Sequence, residues 1–222
     1  SIIYTSGTTG KPKGAMLTHG NFTANVIQTM KCVSGFSKED NFLNVLPLFH
    51  SFSFTANFLV PLHLRSCCSF VRSLKTIADD MKIVKPTVLF AVPLMAEKLY
   101  GRVAEKLQKS LVARSLISMG LRAIISKKVK ASFGGRLRFI GIGGAPTPVP
   151  ILKGFQELGF QVLEGYGLTE CAPGVAYPDH PWYVPGTVGH VIADMDYKVI
   201  NVDSAGAGEL IVRGPNVMKG YY

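Results

Sequence analysis

Short apolar runs at 2–5, 42–46, 67–71, 88–92, 137–142 and 161–163 alternate with longer segments whose apolar residues recur at helical spacing, and this alternation leaves few folds open. Strands apolar on both sides need cover on both faces, and parallel neighbours need a crossover of roughly a dozen residues between them. The pattern predicts an α/β fold, a helix-covered, mostly parallel sheet with helices at 18–33, 53–64, 77–84, 94–107, 111–131 and 149–158. Pro93 and Pro148 suit helical first turns. After Pro185 the runs at 187–192, 197–202 and 209–213 read as strands, with Ser204-Ala-Gly-Ala-Gly208 as a hairpin loop. The expected division is an α/β core over 1–185 followed by a small β-rich unit over 186–222. A chain of 222 residues buries roughly 70% of its unfolded surface, enough for a real core.

Directly after Ile2 and Ile3 stands Tyr4-Thr-Ser-Gly-Thr-Thr-Gly-Lys-Pro-Lys-Gly14. Gly7, Gly10 and Gly14 permit close backbone approach, Thr5, Ser6, Thr8 and Thr9 offer hydroxyl donors to phosphate oxygens, and Lys11 and Lys13 supply neutralising charge. Together these residue types make a polyphosphate cradle. It is not a Walker loop, because Gly7 and Gly10 are separated by two residues and Pro12 follows Lys11 where that loop needs Ser or Thr. A flexible Ser/Thr/Gly linker is the plainer alternative, although such linkers rarely carry two lysines around a proline.

The net charge of +10 sits in one place: residues 98–138 hold eleven Lys or Arg against the single acid Glu105, and the rest of the chain balances. Arg102, Lys106 and Lys109 share one helical stripe while Val103, Leu107 and Leu111 share another, the pattern of an amphipathic basic helix. Such a stripe is either a solvated face or a surface for an anionic partner. The longest stretch free of charged residues, 41–64, is broken by Asn41, Asn44, Pro47, His50, Asn57, Pro61 and His63, which disfavours a membrane span. No signal peptide is visible, and Cys32, Cys67, Cys68 and Cys171 are too few for a disulfide scaffold, so reduced thiols in a cytoplasmic protein are expected. His19, His50, His63, His180 and His190 show no zinc spacing.

A second glycine-punctuated patch, Gly165-Tyr-Gly-Leu-Thr-Glu170, follows the run at 161–163. Taken in order, Thr5-Ser-Gly-Thr-Thr-Gly-Lys-Pro-Lys-Gly14, Leu46-Pro-Leu-Phe-His50, Gly143-Gly-Ala-Pro146, Tyr166-Gly-Leu-Thr-Glu170 and Gly208-Glu-Leu-Ile-Val-Arg-Gly214 resemble the motifs of the adenylate-forming (AMP-binding) enzymes, the superfamily of acyl-CoA synthetases, peptide-synthetase adenylation domains and luciferases. The resemblance runs from Ile2 to Tyr222. Within it, Gly165-Tyr-Gly-Leu-Thr-Glu-Cys-Ala-Pro173 and Pro185-Gly-Thr-Val-Gly189 are most similar to long-chain fatty acyl-CoA synthetases and acyl-acyl carrier protein synthetases of the acylglycerophosphoethanolamine acyltransferase type.

That resemblance implies the fold of the adenylate-forming N-terminal domain and an ATP-dependent acid-thiol ligase. A carboxylic acid, here a fatty acid, would form an acyl-adenylate with release of pyrophosphate, and a thiol of coenzyme A or acyl carrier protein would take the acyl group. It assigns the β- and γ-phosphates to Thr5, Ser6, Gly7, Thr8, Thr9, Gly10, Lys11 and Lys13, the α-phosphate to Thr169, and Mg²⁺ to Glu170. Gly144, Ala145 and Pro146 would form one wall of an adenine pocket and Gly165, Tyr166 and Gly167 the other, with His50 beside the acyl group. Phe49, Phe52, Phe54, Phe58 and Leu59 suit an apolar substrate or ordinary core packing equally. Taken alone, Glu170 is also a plain first-turn acid after a threonine cap, Tyr166 a core tyrosine, and His50 a satisfied core histidine.

An acidic carrier protein, or an anionic membrane at its inner face, would give residues 98–138 a partner. The ribose-binding aspartate, hinge and C-terminal lid of the family lie outside this chain, which begins without Met and reads as excised, so alone it is expected to bind ATP weakly and not to turn over. An amino-acid-activating adenylation domain is the alternative enzyme, but no acid stands in 46–60 to hold an ammonium. A basic membrane- or nucleic-acid-binding protein is the alternative of another class; no nucleic-acid motif supports that second form.

Overall fold

A computed structural model describes residues 1–5, 11–112, 115, 119, 121–178 and 183–222. The chain opens with an antiparallel hairpin, β1 (Ile2–Thr5) and β2 (Lys13–Met16), in which Thr5 faces Lys13. Helix α1 (His19–Cys32) starts at a reciprocal cap: the Thr18 hydroxyl accepts from the Asn21 N–H at 3.1 Å, and the Asn21 side chain accepts from the Thr18 N–H at 2.9 Å. Next comes β3 (Asn41–Asn44), then one helical run made of α2 (Ser51–Ser53), a wider π-helical segment (Phe54–Leu59) and α3 (Val60–Leu64). The helix expected at 53–64 therefore begins earlier, with His50 as its N-cap. Pro61 has no N–H to offer the Asn57 carbonyl four residues back, and the Cys68 thiol donates to that carbonyl instead at 3.0 Å.

β4 (Cys67–Phe70), α4 (Ile77–Val84), β5 (Val88–Ala91), α5 (Pro93–Lys109), α6 (Arg122–Ser132), β6 (Phe139–Ile142), α7 (Val149–Glu157) and β7 (Gln161–Glu164) complete the α/β unit. Five strands form one parallel sheet in the order β4-β3-β5-β6-β7, as the alternation predicts. The single helix expected over 111–131 is not formed: Leu121 lies outside helical geometry (φ −85°, ψ 42°), and α6 starts after it. Gly120, a poor helix former, precedes that break in the sequence.

Leu43, Leu89, Ile140 and Val162 face one side of the sheet and pack against α4, α5, α6 and α7. Phe42, Val88, Phe139 and Leu163 face the other and pack against Val26 and Val33 near α1 and Val60 of α3. The alternation of neighbouring residues between two apolar layers is what a doubly covered parallel strand requires. At the strands' N-terminal edge, Asp40 is 4% exposed and accepts from the Arg138 guanidinium (2.7 and 2.9 Å), the Thr87 hydroxyl (2.5 Å) and the Ser37 N–H (2.9 Å).

Beyond β7 the chain changes character. β8 (Tyr166–Gly167), β9 (Gly174–Tyr177) and β10 (His190–Val191) make a small antiparallel sheet, and β11 (Asp196–Ile200) and β12 (Glu209–Arg213) make a hairpin. The run expected at 187–192 thus pairs with β9 rather than with the hairpin. Buried asparagines tie these parts down. Asn25 of α1 donates to the Gly174 carbonyl and accepts from the Gly174 N–H, and Asn216 donates to the carbonyls of Cys171 and Gly174.

Candidate functional site

The C-terminal edge of a parallel sheet is where backbone ends and loops converge. Here the chain leaves β6 through Gly143 and Gly144, leaves β7 through Gly165, and turns through a single 3-10 turn at Thr169–Cys171. Gly144 sits at φ +92°, a conformation open to glycine and strained for other residues. A cavity of about 370 Å³ opens at this edge.

Its mouth is rich in oxygen and backbone. Thr5, His50, Thr169 and Glu170 line it together with Gly144, Gly165, Tyr166 and Gly167, so residues far apart in the sequence meet around one cavity. Lys13 is outside the lining; its ammonium lies 5.3 Å from the centre of the ring of Tyr221, whose hydroxyl reaches the lining residue Glu170. Lys11 is exposed, and Ala145 and Pro146 are exposed outside the lining. The phosphate-loop residues Ser6, Gly7, Thr8, Thr9 and Gly10 lie outside the described residues.

Local contacts set what each group can do. The Ser51 hydroxyl donates to the Thr169 hydroxyl oxygen at 3.3 Å, which leaves the Thr169 proton for another acceptor. His50 Nδ1 accepts from the Phe52 N–H at 3.3 Å, so in the neutral ring Nε2 carries the proton. Glu170 Oε1 accepts from the Tyr221 hydroxyl at 2.6 Å, and that hydrogen bond, ahead of burial and the carboxylate charge, raises the Tyr221 pKa. Burial and the Glu170 charge push the Cys171 thiol up to about 11, which keeps it protonated and unreactive.

The interior of the same cavity is apolar, walled by Val33, Val60, Phe90, Phe139 and Leu163 with Tyr177 and Thr29 at its inner side. Burial pushes the Tyr177 phenol up to about 12, so it stays neutral. Of the aromatics singled out by sequence, Phe52 reaches the cavity, Phe49 is 81% exposed, and Phe54 packs on Phe22 and Phe58 in the core. The apolar wall comes instead from three separate strands and two helices, whose residues read in sequence as ordinary core. Ser51, Tyr221 and Thr29 were equally hidden; only the position of Ser51 next to His50 offered a signal.

The chain matches the model of the AMP-binding enzyme family over residues 1–222. Among curated proteins it is 33% identical over 249 residues to long-chain-fatty-acid–CoA ligase 6 of Mus musculus, and 32% identical over 253 residues to long-chain-fatty-acid–CoA ligase 1 of Homo sapiens. Each alignment takes in 99% of this chain but 35% of the relative, so the chain spans about a third of the length of the curated relatives it matches. Among solved structures, a long-chain-fatty-acid–CoA ligase from Archaeoglobus fulgidus superposes with a TM-score of 0.73 at 26% identity, covering 99% of this chain and 43% of that one. ATP-bound MatB from Rhodopseudomonas palustris superposes with a TM-score of 0.75 at 28% identity, covering 99% of this chain and 40% of that one.

Proposed function

The chain belongs to the AMP-binding enzyme family, and on that premise we propose that its protein joins a fatty acid to a thiol through an acyl-adenylate at the expense of ATP. The observation that carries this reading is the cavity itself, where an oxygen-rich mouth with Thr5, Thr169 and Glu170 opens directly into an apolar interior. The long-chain ligases it resembles and the neighbour solved with ATP support the same assignment.

An attacking carboxylate and the α-phosphate of ATP are both anionic, and pyrophosphate departs with added charge, so the obstacle is electrostatic. Thr169, whose proton is free, donates to an α-phosphate oxygen, and Lys11 and Lys13 face the β- and γ-phosphates with the loop between 5 and 13. His50 donates from Nε2 to the acyl carboxylate or the acyl-adenylate. Gly144 and Tyr166 flank adenine. Mg²⁺ fits the residues present, since it is commonly held by one or two carboxylates plus substrate phosphates and water. Glu170 has Oε1 engaged by Tyr221 and Oε2 left for a cation, and no group of three or more His, Cys, Asp or Glu surrounds it among the described residues. When bound, the ion supplies positive charge against the phosphate repulsion.

Carboxylate-dependent exchange of pyrophosphate into ATP by the full-length protein, run across acid classes, tests the reading; exchange with amino acids alone would overturn it. Glu170 is the acidic residue of the described cavity wall, and it stands at the phosphate corner, which argues against an ammonium-bearing substrate. Gly141 and Phe90 both line the cavity, and a Cβ added at Gly141 would run into the Phe90 ring, so a larger residue there pushes that ring from its place in the lining. Gly141→Val is therefore expected to raise KM for long acids about tenfold and leave short ones within about twofold, in line with the few kcal/mol that small changes in an apolar pocket carry.

The thiol acceptor is coenzyme A or an acidic acyl carrier protein, in a cytoplasmic setting that brings the basic face to a carrier or to an anionic membrane. Lys98, Arg102 and Lys106 of α5 and Lys127 and Lys128 of α6 are exposed, whereas Lys109 is engaged by Glu105 at 2.5 Å. No helix among the described residues is long and apolar enough to cross a membrane. Lys106→Glu is expected to slow acyl transfer to an acidic carrier about tenfold at low salt, with coenzyme A kinetics unchanged. Equal rates with the carrier would remove this role, and loss of binding to anionic vesicles instead would move the face to a membrane.

A further inference from the structure

We infer that Tyr221 is a positioning residue that keeps Glu170 and Lys13 apart and presents both to the nucleotide; the inference rests on the nucleotide reading above. The Tyr221 hydroxyl donates to Glu170 Oε1 at 2.6 Å, while the Lys13 ammonium stands over the ring at 5.3 Å from its centre. One side chain thus contacts the carboxylate through its polar tip and the ammonium through its face. A carboxylate and a lysine that share one tyrosine as a neighbour attract each other, and a direct ion pair would use up both groups. The ion pairs among the described residues do not include Lys13 with Glu170.

The backbone carrying Tyr221 is fixed between the same two parts. Tyr221 bridges Ala15 of β2, the Tyr222 N–H donates to the Gly14 carbonyl at 2.8 Å, and the Lys219 N–H donates to the Met16 carbonyl at 3.0 Å. On the other side the Met218 N–H donates to the Glu170 carbonyl at 2.8 Å. Asn21 of α1 adds hydrogen bonds to the carbonyls of Pro215 and Val217. The segment 215–222 is therefore a brace between the lysine-bearing hairpin and the Thr169–Cys171 turn, and Tyr221 is its contact with both charges.

Two variants of the full-length protein separate the parts of this role. Tyr221→Phe keeps the ring under Lys13 and removes the hydroxyl. It is expected to weaken Mn²⁺ binding in the presence of ATP, read by paramagnetic resonance, by roughly 10- to 100-fold, the usual cost of removing a group that orients a metal ligand. The Mg²⁺ concentration for half-maximal exchange should rise by a comparable factor, with more of the loss at subsaturating Mg²⁺ than in the rate at saturating Mg²⁺. Tyr221→Leu removes both contacts and should lower that saturated rate as well. Unchanged metal affinity in Tyr221→Phe, with or without a lower melting temperature, would overturn the inference while leaving the nucleotide reading intact. A wild-type protein that bound neither ATP nor Mn²⁺ would overturn both.

Discussion

Glu170→Gln in the full-length protein is expected to cut carboxylate-dependent pyrophosphate exchange by roughly 10²- to 10³-fold, the scale seen when one preorganised electrostatic contact to a transition state is removed. Glutamine has nearly the same shape, and its side-chain carbonyl can still accept from Tyr221, whose hydroxyl lies 2.6 Å from Glu170 Oε1. The 3-10 turn that carries the residue is held by backbone contacts, including the Met218 N–H to the Glu170 carbonyl, that the substitution leaves alone. What disappears is one negative charge at the phosphate end of the cavity. The melting temperature should therefore hold within about 2 °C, because the residue is only half buried and surface substitutions of this kind usually stay within ±0.5 kcal/mol. Adding Mg²⁺ should recover part of the rate. Near-wild-type exchange across the Mg²⁺ range would remove Glu170 from the phosphate corner.

The central sheet was legible because its signals are local. α4 occupies Ile77–Val84, as read from the sequence: Ile77 and Met81 recur at helical spacing, and the helix stops at Lys85, which is in the left-handed region ahead of Pro86. β3 and β6 are buried at every position; β6, Phe139-Ile-Gly-Ile142, carries the apolar character such burial requires, whereas β3 has at its two ends Asn41 and Asn44, whose side chains are hydrogen-bonded to the Val84 carbonyl and the Ser53 hydroxyl. The break at Leu121 was not read from the sequence, where apolar residues recur at helical spacing across 111–131 and Gly120 is the local sign of an interruption.

Parts of the site held by long-range pairing were illegible for a different reason. β2 gains its partners from β1 and from residues 219–222 at the far end of the chain, and no periodicity within Lys13–Met16 announces either. Tyr221 shows the same limit: nothing near it in sequence is acidic, and its relation to Glu170 exists only because the brace returns to the hairpin. Motif residues such as Thr169 and Glu170 were visible as chemistry, whereas the apolar wall of Val33, Phe90 and Phe139 was visible only as core. A strand residue that lines a cavity and one that fills a core obey the same local pattern, and the difference lies in what the opposite layer leaves empty.

Stability at the other edge of the sheet rests on charge rather than on packing alone. Arg138→Leu is expected to destabilise the fold by about 2–3 kcal/mol, below the full cost of orphaning a buried charge because the Arg138 side chain is 38% exposed and water can replace part of it. The guanidinium donates to both Asp40 oxygens and to the Gly35 carbonyl, joining the loop before β3 to the start of β6. Leucine leaves Asp40, 4% exposed, with the Thr87 hydroxyl and the Ser37 N–H as its remaining donors. For a chain of this size the loss corresponds to a fall in melting temperature of roughly 5–10 °C. Asp40→Asn alone should also destabilise, since it strips the guanidinium of its counter-charge. Combined with Arg138→Leu it should cost less than the two losses added together, because the second substitution removes the charge that the first left unpaired. Strict additivity in that cycle would show that Asp40 and Arg138 do not depend on each other, and that this edge is held by its hydroxyl and backbone donors instead.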